Sequence, residues 1–378
     1  MAIAASPISD SPEARRYNRI SRQLSVADAV LGLLLLLVLL LTGLSKALSH
    51  LALVITGQSY VLALFVYVVA LLLLGKIASI GLDYYGFRLE HQYHLSNQKL
   101  GSWAWDQLKG FLIGVVFSTV LAQLLYSLIR LMPQVWWIVA WAAFLALFIF
   151  LAQLAPVTLF PLFYKFRPLN NDTLRERLTS LSERAGTRVR GVYEWELSAK
   201  STKANAALTG LGATRRIILA DTLLAHYSDD EIEAVLAHEL GHHVHKHIFK
   251  SILVHAVVTF IGFWAVKSVL RYAVIEQEWF GSQYDFSNLP LIVLVTSVIS
   301  LLLMPVLNGY SRLNEREADR YAWKSIASVE PFVSAMNKLA EQNLAERNPS
   351  RWVEVLFHSH PSISRRVSAA EAWARSRR

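Results

Sequence analysis

The sequence contains no cysteine. This absence excludes disulfide bonds and thiolate metal ligands, so nitrogen and oxygen atoms would have to hold any zinc ion. The chain also lacks an internal repeat and, apart from a leucine-rich run near its N terminus, any low-complexity segment. No small-residue cleavage site follows that run, which indicates a retained helix and not a signal peptide.

Hydrophobic residues make up 54% of the 378 residues, a fraction above the range of soluble proteins. They are concentrated in long runs, and a helix needs roughly 20 apolar residues to cross the hydrocarbon core of a membrane. This pattern predicts a mainly α-helical, polytopic membrane protein with about six spans. The predicted spans cover residues 26–48, 60–82, 108–130, 135–160, 248–270 and 289–307.

The formal net charge of +9 would suit a nucleic-acid-binding protein, but the basic residues follow a membrane pattern. They cluster before the first predicted span, after the second and fourth, and in the C-terminal tail, whereas the alternate connections contain few. Because Lys and Arg accumulate in cytoplasmic loops, both termini and both large polar segments are predicted to be cytoplasmic. Anionic lipid headgroups account for the charge, and no nucleic-acid partner is expected.

The order of spans and polar segments predicts two domains. Residues 1–160 form an N-terminal membrane domain of four spans, and residues 161–378 form a second domain that a two-span hairpin interrupts at about 248–307. The segments "RVRGVYEWEL" and "RRIILA" alternate as strands do and predict a small β-sheet. Ser228 and Glu231 then form a capping box at the start of a helix.

That helix carries the stretch "HELGHHVHKH". At about 100° per residue, His238 and His242 lie one turn apart on one face and can share a metal ion. Glu239 completes the motif H-E-x-x-H, in which the carboxylate lies beside the attacking water and serves as general base. The alternative interpretations of so dense a cluster of histidines are a basic surface face and a pH-sensitive patch. Three further histidines are expected at the membrane interface: His243, His245 and His247.

A later helix, "SRLNEREADRYAW", contains a second candidate group. Glu315 and Asp319 lie one turn apart on one face, while Glu317 points away. Glu315 could supply a third metal ligand and Asp319 an acceptor for an imidazole N–H. A solvated charged face explains the same spacing, and the residues alone leave both interpretations open.

Together these motifs resemble those of the type I CAAX prenyl endopeptidases, which are integral-membrane zinc metalloproteases with bacterial relatives. The resemblance covers roughly residues 84–366. It includes "EHQYHLSNQKLGSWAWDQLKG", "APVTLFPLFYKFRPL", "NAALTGLGATRRIILADTLL" and "HSHPSISRR" in addition to the two motif helices. The heat-shock HtpX proteases share the zinc motifs but lack the loop at 90–110, and they are the second-best match.

The resemblance implies a fold and a set of site residues. The fold is a helical membrane bundle around a chamber, joined to a gluzincin-like zinc metalloprotease domain with a small β-sheet. Eukaryotic members have seven spans, one more than this sequence predicts. By position, one Zn²⁺ per chain is bound by His238, His242 and Glu315. Glu239 is the general base. Asp319 contacts a metal ligand and does not bind the metal itself. His360 stabilises the oxyanion, and the substrate-binding residues are Asn205, Ala206 and Arg366.

The sequence therefore predicts a membrane-embedded zinc endopeptidase, expected to be a bacterial homologue of that family, that cuts CAAX-type prenylated peptides or membrane-associated proteins. Its expected location is the inner membrane, with the active site on the cytoplasmic side. An HtpX-like quality-control protease is one alternative. A membrane transporter or a metal-binding scaffold without turnover is the alternative of another class. The sequence predicts no oligomeric state.

Overall fold

The computed structural model of the chain describes residues 10–210 and 215–377. Helices dominate this part of the chain, and four short strands form one sheet. The helices are α1 (Pro12–Leu41), α2 (Leu44–Ile55), α3 (Tyr60–Gln92), α4 (Leu100–Leu131), α5 (Trp136–Thr158), α6 (Asp172–Arg184), α7 (Asp221–His226), α8 (Asp229–Val244), α9 (His247–Arg271), α10 (Leu289–Ser325), α11 (Glu330–Gln342), α12 (Arg351–Phe357) and α13 (Ile363–Arg375).

Six helices in the described part of the chain are long and apolar enough to cross a membrane: α1, α3, α4, α5, α9 and α10. This number confirms the predicted six spans. The first span was predicted to continue to residue 48, which is wrong, because the helix ends at Leu41. Gly43 adopts a left-handed backbone with φ of 74°, a conformation that glycine adopts at little cost, and α2 starts after it. At 12 residues, α2 is too short to span a bilayer.

The last predicted span and the carboxylate-bearing segment form one continuous helix. Helix α10 runs for 37 residues, with Pro305 inside it, from the membrane segment to Ser325. Its C-terminal third packs against α8, which begins at the predicted capping box. The Ser228 backbone N–H donates to Glu231 Oε2 at 2.8 Å, and the Glu231 N–H donates to Ser228 Oγ at 3.3 Å. Three acidic residues in the first turn of α8 further stabilise its N terminus.

The sheet contains β1 (Phe166–Pro168), β2 (Val192–Trp195), β3 (Ala206–Thr209) and β4 (Arg216–Ala220) in the order β1-β2-β4-β3. Strands β2 and β4 are parallel, and the other two pairings are antiparallel. The predicted strand segments thus contain β2 and β4. Because β3 pairs only with β4 among the described strands, its other edge is left without a partner strand there.

The two largest hydrophobic cores in the described part of the chain hold most of these elements. The first joins the sheet to α6, α8 and α11, and its fully buried side chains include Leu178, Leu219 and Phe332. The second lies between the membrane helices and includes Tyr126 and Trp136. Full burial of one large apolar side chain contributes about 1.5–3 kcal/mol, so the first core fixes α8 firmly between the sheet and α10.

Candidate active site

Helices α8 and α10 meet at unusually close range. A Cβ atom added to Gly241 would lie 2.8 Å from the Cα atom of Ala318 and 2.9 Å from its carbonyl oxygen, closer than real Cβ contacts. Only glycine therefore permits this approach of the two backbones. Gly241 follows the first histidine of the H-E-x-x-H motif by three residues, so the close crossing brings the motif to the acidic face of α10.

Three side chains converge at this crossing. The Nε2 atoms of His238 and His242 lie 3.2 Å apart. The carboxylate of Glu315 meets both, with Oε2 at 3.2 Å from His238 Nε2 and Oε1 at 3.3 Å from His242 Nε2. His238 and Glu315 are buried and His242 is partly exposed. The structure thus brings together the three residues predicted as zinc ligands.

The donor set fits a zinc ion. Among the described residues, Glu315 Oε2 is a buried oxygen without a hydrogen-bond partner, an arrangement that costs free energy unless something else binds the oxygen. Burial and the nearby charge of Arg366 lower the pKa of His238, but the adjacent carboxylates of Asp319 and Glu315 outweigh them and raise it to about 9. The site therefore favours a cation. Two imidazoles and one carboxylate are a known zinc set that leaves a position open for catalysis.

Asp319 supports His238 from the side away from Glu315. Its Oδ1 lies 2.8 Å from His238 Nδ1. Arg366 donates from Nε to Asp319 Oδ2 at 2.9 Å and from Nη2 to Oδ1 at 2.6 Å, and its Nη2 also lies 3.3 Å from His238 Nδ1. All three side chains are buried. Arg366 was expected to bind substrate. The structure places it on the side of His238 that faces away from Glu315, where it donates hydrogen bonds to Asp319.

Glu239 faces a cavity of about 540 Å³. The cavity also borders His242, the apolar face of α5 and part of α9 that includes His255. Glu239 is partly exposed, and its side chain forms no hydrogen bond or ion pair with any other residue that the structure describes. A carboxylate in this state is free to accept a proton from a molecule in the cavity.

His360 reaches the site from the loop between α12 and α13. Its Nε2 lies 3.2 Å from Glu315 Oε1, and its Nδ1 lies 3.0 Å from the hydroxyl of Ser359. The side chain remains 60% exposed, in contrast to the buried side chains of His238 and Glu315. It therefore lies beside the candidate metal site, on the solvent side, where a bound peptide could reach it.

Asn205 and Ala206 lie at the start of the edge strand. The carbonyl of Asn205 accepts a hydrogen bond from the Ala220 N–H at 3.0 Å, and Ala206 pairs with Leu219 on β4. Neither residue lines the cavity at Glu239. The residues of this segment that do line it come later: Leu208, Thr209 and Gly210. Residues 211–214, part of the stretch "NAALTGLGATRRIILADTLL" that carries the family resemblance, lie outside the described residues.

Sequence reasoning missed two residues near the site. His247 was expected at the membrane interface, yet it is buried and its Nδ1 lies 3.0 Å from Nδ1 of His242. Glu317 was expected to point away from the site, and it contacts His247 at 2.9 Å. The signal that could have revealed them is the density of histidines after the motif, which exceeds what a metal site alone requires.

Two family models match the chain. The model described as peptidase family M48 matches residues 168–374. The model described as the CAAX prenyl protease N-terminal domain with five membrane helices matches residues 9–165. Among the described residues of that region there are five α-helices, α1 to α5, of which four are long and apolar enough to span a membrane.

Similar proteins include bacterial and eukaryotic relatives. The chain is 31% identical to the uncharacterized metalloprotease YhfN of Bacillus subtilis, over 95% of this chain and 84% of that protein. It is 28% identical to CAAX prenyl protease 1 of Saccharomyces cerevisiae, over 79% of this chain and 70% of the yeast protein. The crystal structure of S. mikatae Ste24p has the same fold, with a TM-score of 0.83 at 24% identity over 94% of this chain and 87% of that one.

Proposed function

The chain belongs to peptidase family M48, and we propose that this membrane metalloprotease uses His238, His242 and Glu315 as zinc ligands and Glu239 as general base. The observation that carries the proposal is the convergence of one carboxylate on two imidazole Nε2 atoms, with a buried carboxylate oxygen that no described residue satisfies. Membership in a peptidase family favours this enzyme over the transporter and the scaffold.

Zinc, when bound, would polarise the substrate carbonyl and lower the pKa of a water molecule to about 7. The protein supplies the remaining steps. Glu239 takes the proton of the attacking water and passes it to the leaving amine as the peptide bond breaks. Because its side chain forms no hydrogen bond or ion pair with a described residue, its carboxylate is available for both transfers.

We propose that His360 stabilises the negative charge that develops on the scissile carbonyl oxygen. The Ser359 hydroxyl lies 3.0 Å from its Nδ1, and when this hydroxyl donates, the imidazole carries its proton on Nε2. That Nε2 faces the carboxylate of Glu315, so an N–H is directed at the ligand cluster. A hydrogen-bond donor held at this position lowers the barrier because the charge exists only in the transition state.

The free edge of β3 is the proposed place for the substrate backbone. An extended peptide can add itself to an unpaired strand edge and gain main-chain hydrogen bonds without regard to sequence. Asn205 and Ala206 lie at the start of this strand, and its far end lines the cavity that Glu239 faces. A peptide on this edge would run toward the general base.

Membrane-associated proteins, among them CAAX-type prenylated peptides, are the proposed substrates. Helix α8 is followed after two residues by the spanning helix α9, so the site lies close to the membrane end of the protease region. The name of the yeast relative supports prenylated substrates. We further propose residues 1–160 and 161–378 as the two domains. The active site and both termini are proposed to be cytoplasmic, in the inner membrane of a bacterium.

The test is hydrolysis of a quenched peptide by the detergent-purified protein. A farnesylated peptide and its unmodified counterpart are compared, each with and without phenanthroline, and zinc is measured in every sample. We expect chelator-sensitive cleavage, and Glu239→Gln should retain zinc while losing turnover. Glu176→Gln, an exposed position on α6, is the matched control and should behave as wild type. Turnover by a zinc-loaded Glu239→Gln variant would refute the role of Glu239.

A further inference from the structure

The chain breaks its helical path directly after the zinc-binding motif. Helix α8 ends at Val244, α9 begins at His247, and Lys246 between them has a left-handed backbone with φ of 57°. In an unbroken helix, His247 would be rotated by about 140° from His242, because five residues turn through about 500°. The break turns His247 back toward the site instead.

A chain of hydrogen bonds starts at the candidate ligand His242. Its Nδ1 lies 3.0 Å from Nδ1 of His247, and Nε2 of His247 lies 2.9 Å from Glu317 Oε2. His247 is 3% exposed, so these two contacts are the ones that satisfy its ring nitrogens. Glu317 is partly exposed and is also paired with Lys250 at 3.5 Å.

Only one proton arrangement fits both contacts when His242 Nε2 binds a metal. The Nδ1 of His242 must then carry the hydrogen and donate it to Nδ1 of His247. His247 in turn carries its own hydrogen on Nε2 and donates it to the carboxylate of Glu317. In this series of hydrogen bonds every donor atom faces an acceptor atom, and no two donors or two acceptors face each other.

We propose that His247 and Glu317 are positioning residues that fix the orientation and the tautomer of His242 as a zinc ligand. The proposal rests on the proposed function, in which His242 binds zinc. It gives the two ligand histidines equivalent support: His238 meets a carboxylate directly, at Asp319, and His242 reaches one through the ring of His247. Both carboxylates come from α10, the helix that also supplies Glu315.

Loss of a partner behind a metal ligand lowers metal affinity or activity by about 10- to 100-fold. We therefore expect His247→Leu to weaken zinc binding by about that factor, measured by competition with a chelator of known affinity. The visible absorption of the cobalt-substituted protein should also change, since the ring of His242 is no longer held. With saturating zinc, kcat should fall while KM stays constant, because substrate contacts are untouched.

Conservative variants separate positioning from mere packing. His247→Asn keeps an acceptor near the place of Nδ1 and should recover part of the affinity. Glu317→Gln keeps an oxygen that accepts from His247 and should lie near wild type, whereas Glu317→Leu should not. His245→Leu is the matched control, because the His245 ring stacks on His247 at 5.6 Å yet forms no hydrogen bond to a described residue. It should keep wild-type zinc affinity.

Two results would overturn the proposal. A third variant, His242→Ala, distinguishes these results from failure of the proposed function. Circular dichroism of the zinc-free proteins identifies variants that fold, and only these are compared. A folded His247→Leu protein with wild-type zinc affinity and cobalt spectrum refutes positioning by His247. Equal losses in Glu317→Gln and Glu317→Leu refute the role of its oxygen. If His242→Ala itself retains zinc, the ligand set is wrong.

Discussion

The two histidines proposed as zinc ligands lie in contrasting halves of the site. His238 is buried, and the buried ion pair of Asp319 and Arg366 supports it. The side chain of His242 is 25% exposed and borders the cavity that Glu239 faces. Its contact on the other side is with His247. One half of the site is therefore anchored in the core of the protease region, while the other half borders the space that a substrate can enter.

The close crossing at Gly241 supports both halves, so its disruption has the largest expected effect. In Gly241→Ala the new Cβ atom would clash with the backbone of Ala318, and α8 and α10 must separate. Overpacking of this kind costs about 1–3 kcal/mol, and displacement of the histidines from Glu315 should abolish zinc binding. Zinc content and the thermal midpoint measure the two effects.

Gly262→Ala is the matched control for that change. Gly262 is also a buried helical glycine, in α9, but no atom outside its local helix lies within 4 Å of the position of its Cβ. This variant should retain zinc and keep or slightly raise its stability, because alanine is the better helix former. Normal zinc content in Gly241→Ala would show that the close approach of the two backbones is dispensable.

Removal of the carboxylate in the buried half should cost more stability than removal of the one in the open half. Asp319→Ala leaves the charge of Arg366 buried without its partner, and breaking a buried pair in this way costs about 3–5 kcal/mol. Glu317→Ala removes a partly exposed carboxylate, so it should cost much less. Thermal unfolding of the two zinc-free proteins tests the comparison.

The double variant Asp319→Ala with Arg366→Met identifies the cause. It removes the uncompensated charge, so it should recover part of the stability lost by Asp319→Ala without recovering zinc affinity. Equal stability of the single and the double variant would mean that the charge of Arg366 is not responsible for the loss.

The same contrast explains what the sequence could predict. Helical spacing put His238 and His242 on one face of a helix and Glu315 and Asp319 on one face of another, and the family resemblance joined the two pairs into one predicted site. The structure brings the four side chains into contact. Six spans were predicted because the length of an apolar run is visible in the sequence. Features that depend on one helix and its own periodicity could thus be predicted from the amino-acid sequence alone.

The parts that escaped prediction depend on a turn or a tertiary contact. Lys246 takes a left-handed conformation that neither glycine nor proline marks, so the sequence suggested an unbroken helix through His247. Arg366 is 47 residues from Asp319 along the chain, and only the packing of α13 against α10 brings them together. Spacing within one element contains no information about such contacts.

Substitutions in the open half should lower the catalytic rate and change the stability of the protein little. His360 is exposed yet lies beside Glu315, so His360→Ala should lower kcat by about 100- to 1,000-fold, as loss of one oxyanion donor does. Zinc content and the thermal midpoint should stay unchanged. His358→Ala is the control, since the contact of His358 with Arg312 uses its backbone carbonyl. A fall in zinc content in His360→Ala would instead make His360 a metal ligand.

The buried half should make zinc binding depend on pH. Because Asp319 and Glu315 raise the pKa of His238 from 6.5 to about 9, the zinc-free site retains a proton at neutral pH. Zinc must displace this proton, so zinc affinity should rise by up to tenfold per pH unit from pH 7 to about pH 9 and then level off. Competition with a chelator, corrected for the protonation of the chelator itself, gives the profile.

Stability of the zinc-free protein should change in the opposite direction. A pKa that is higher in the folded state than in the unfolded state stabilises the fold fully below the unfolded value of 6.5, and this stabilisation is lost as the pH rises toward about 9. The gap between the thermal midpoints of the zinc-loaded and zinc-free proteins should therefore widen over that range. A zinc affinity that is constant from pH 7 to 9 would show that His238 has already lost its proton at pH 7. The carboxylates around it would then stabilise the protonated imidazole less than their distances indicate.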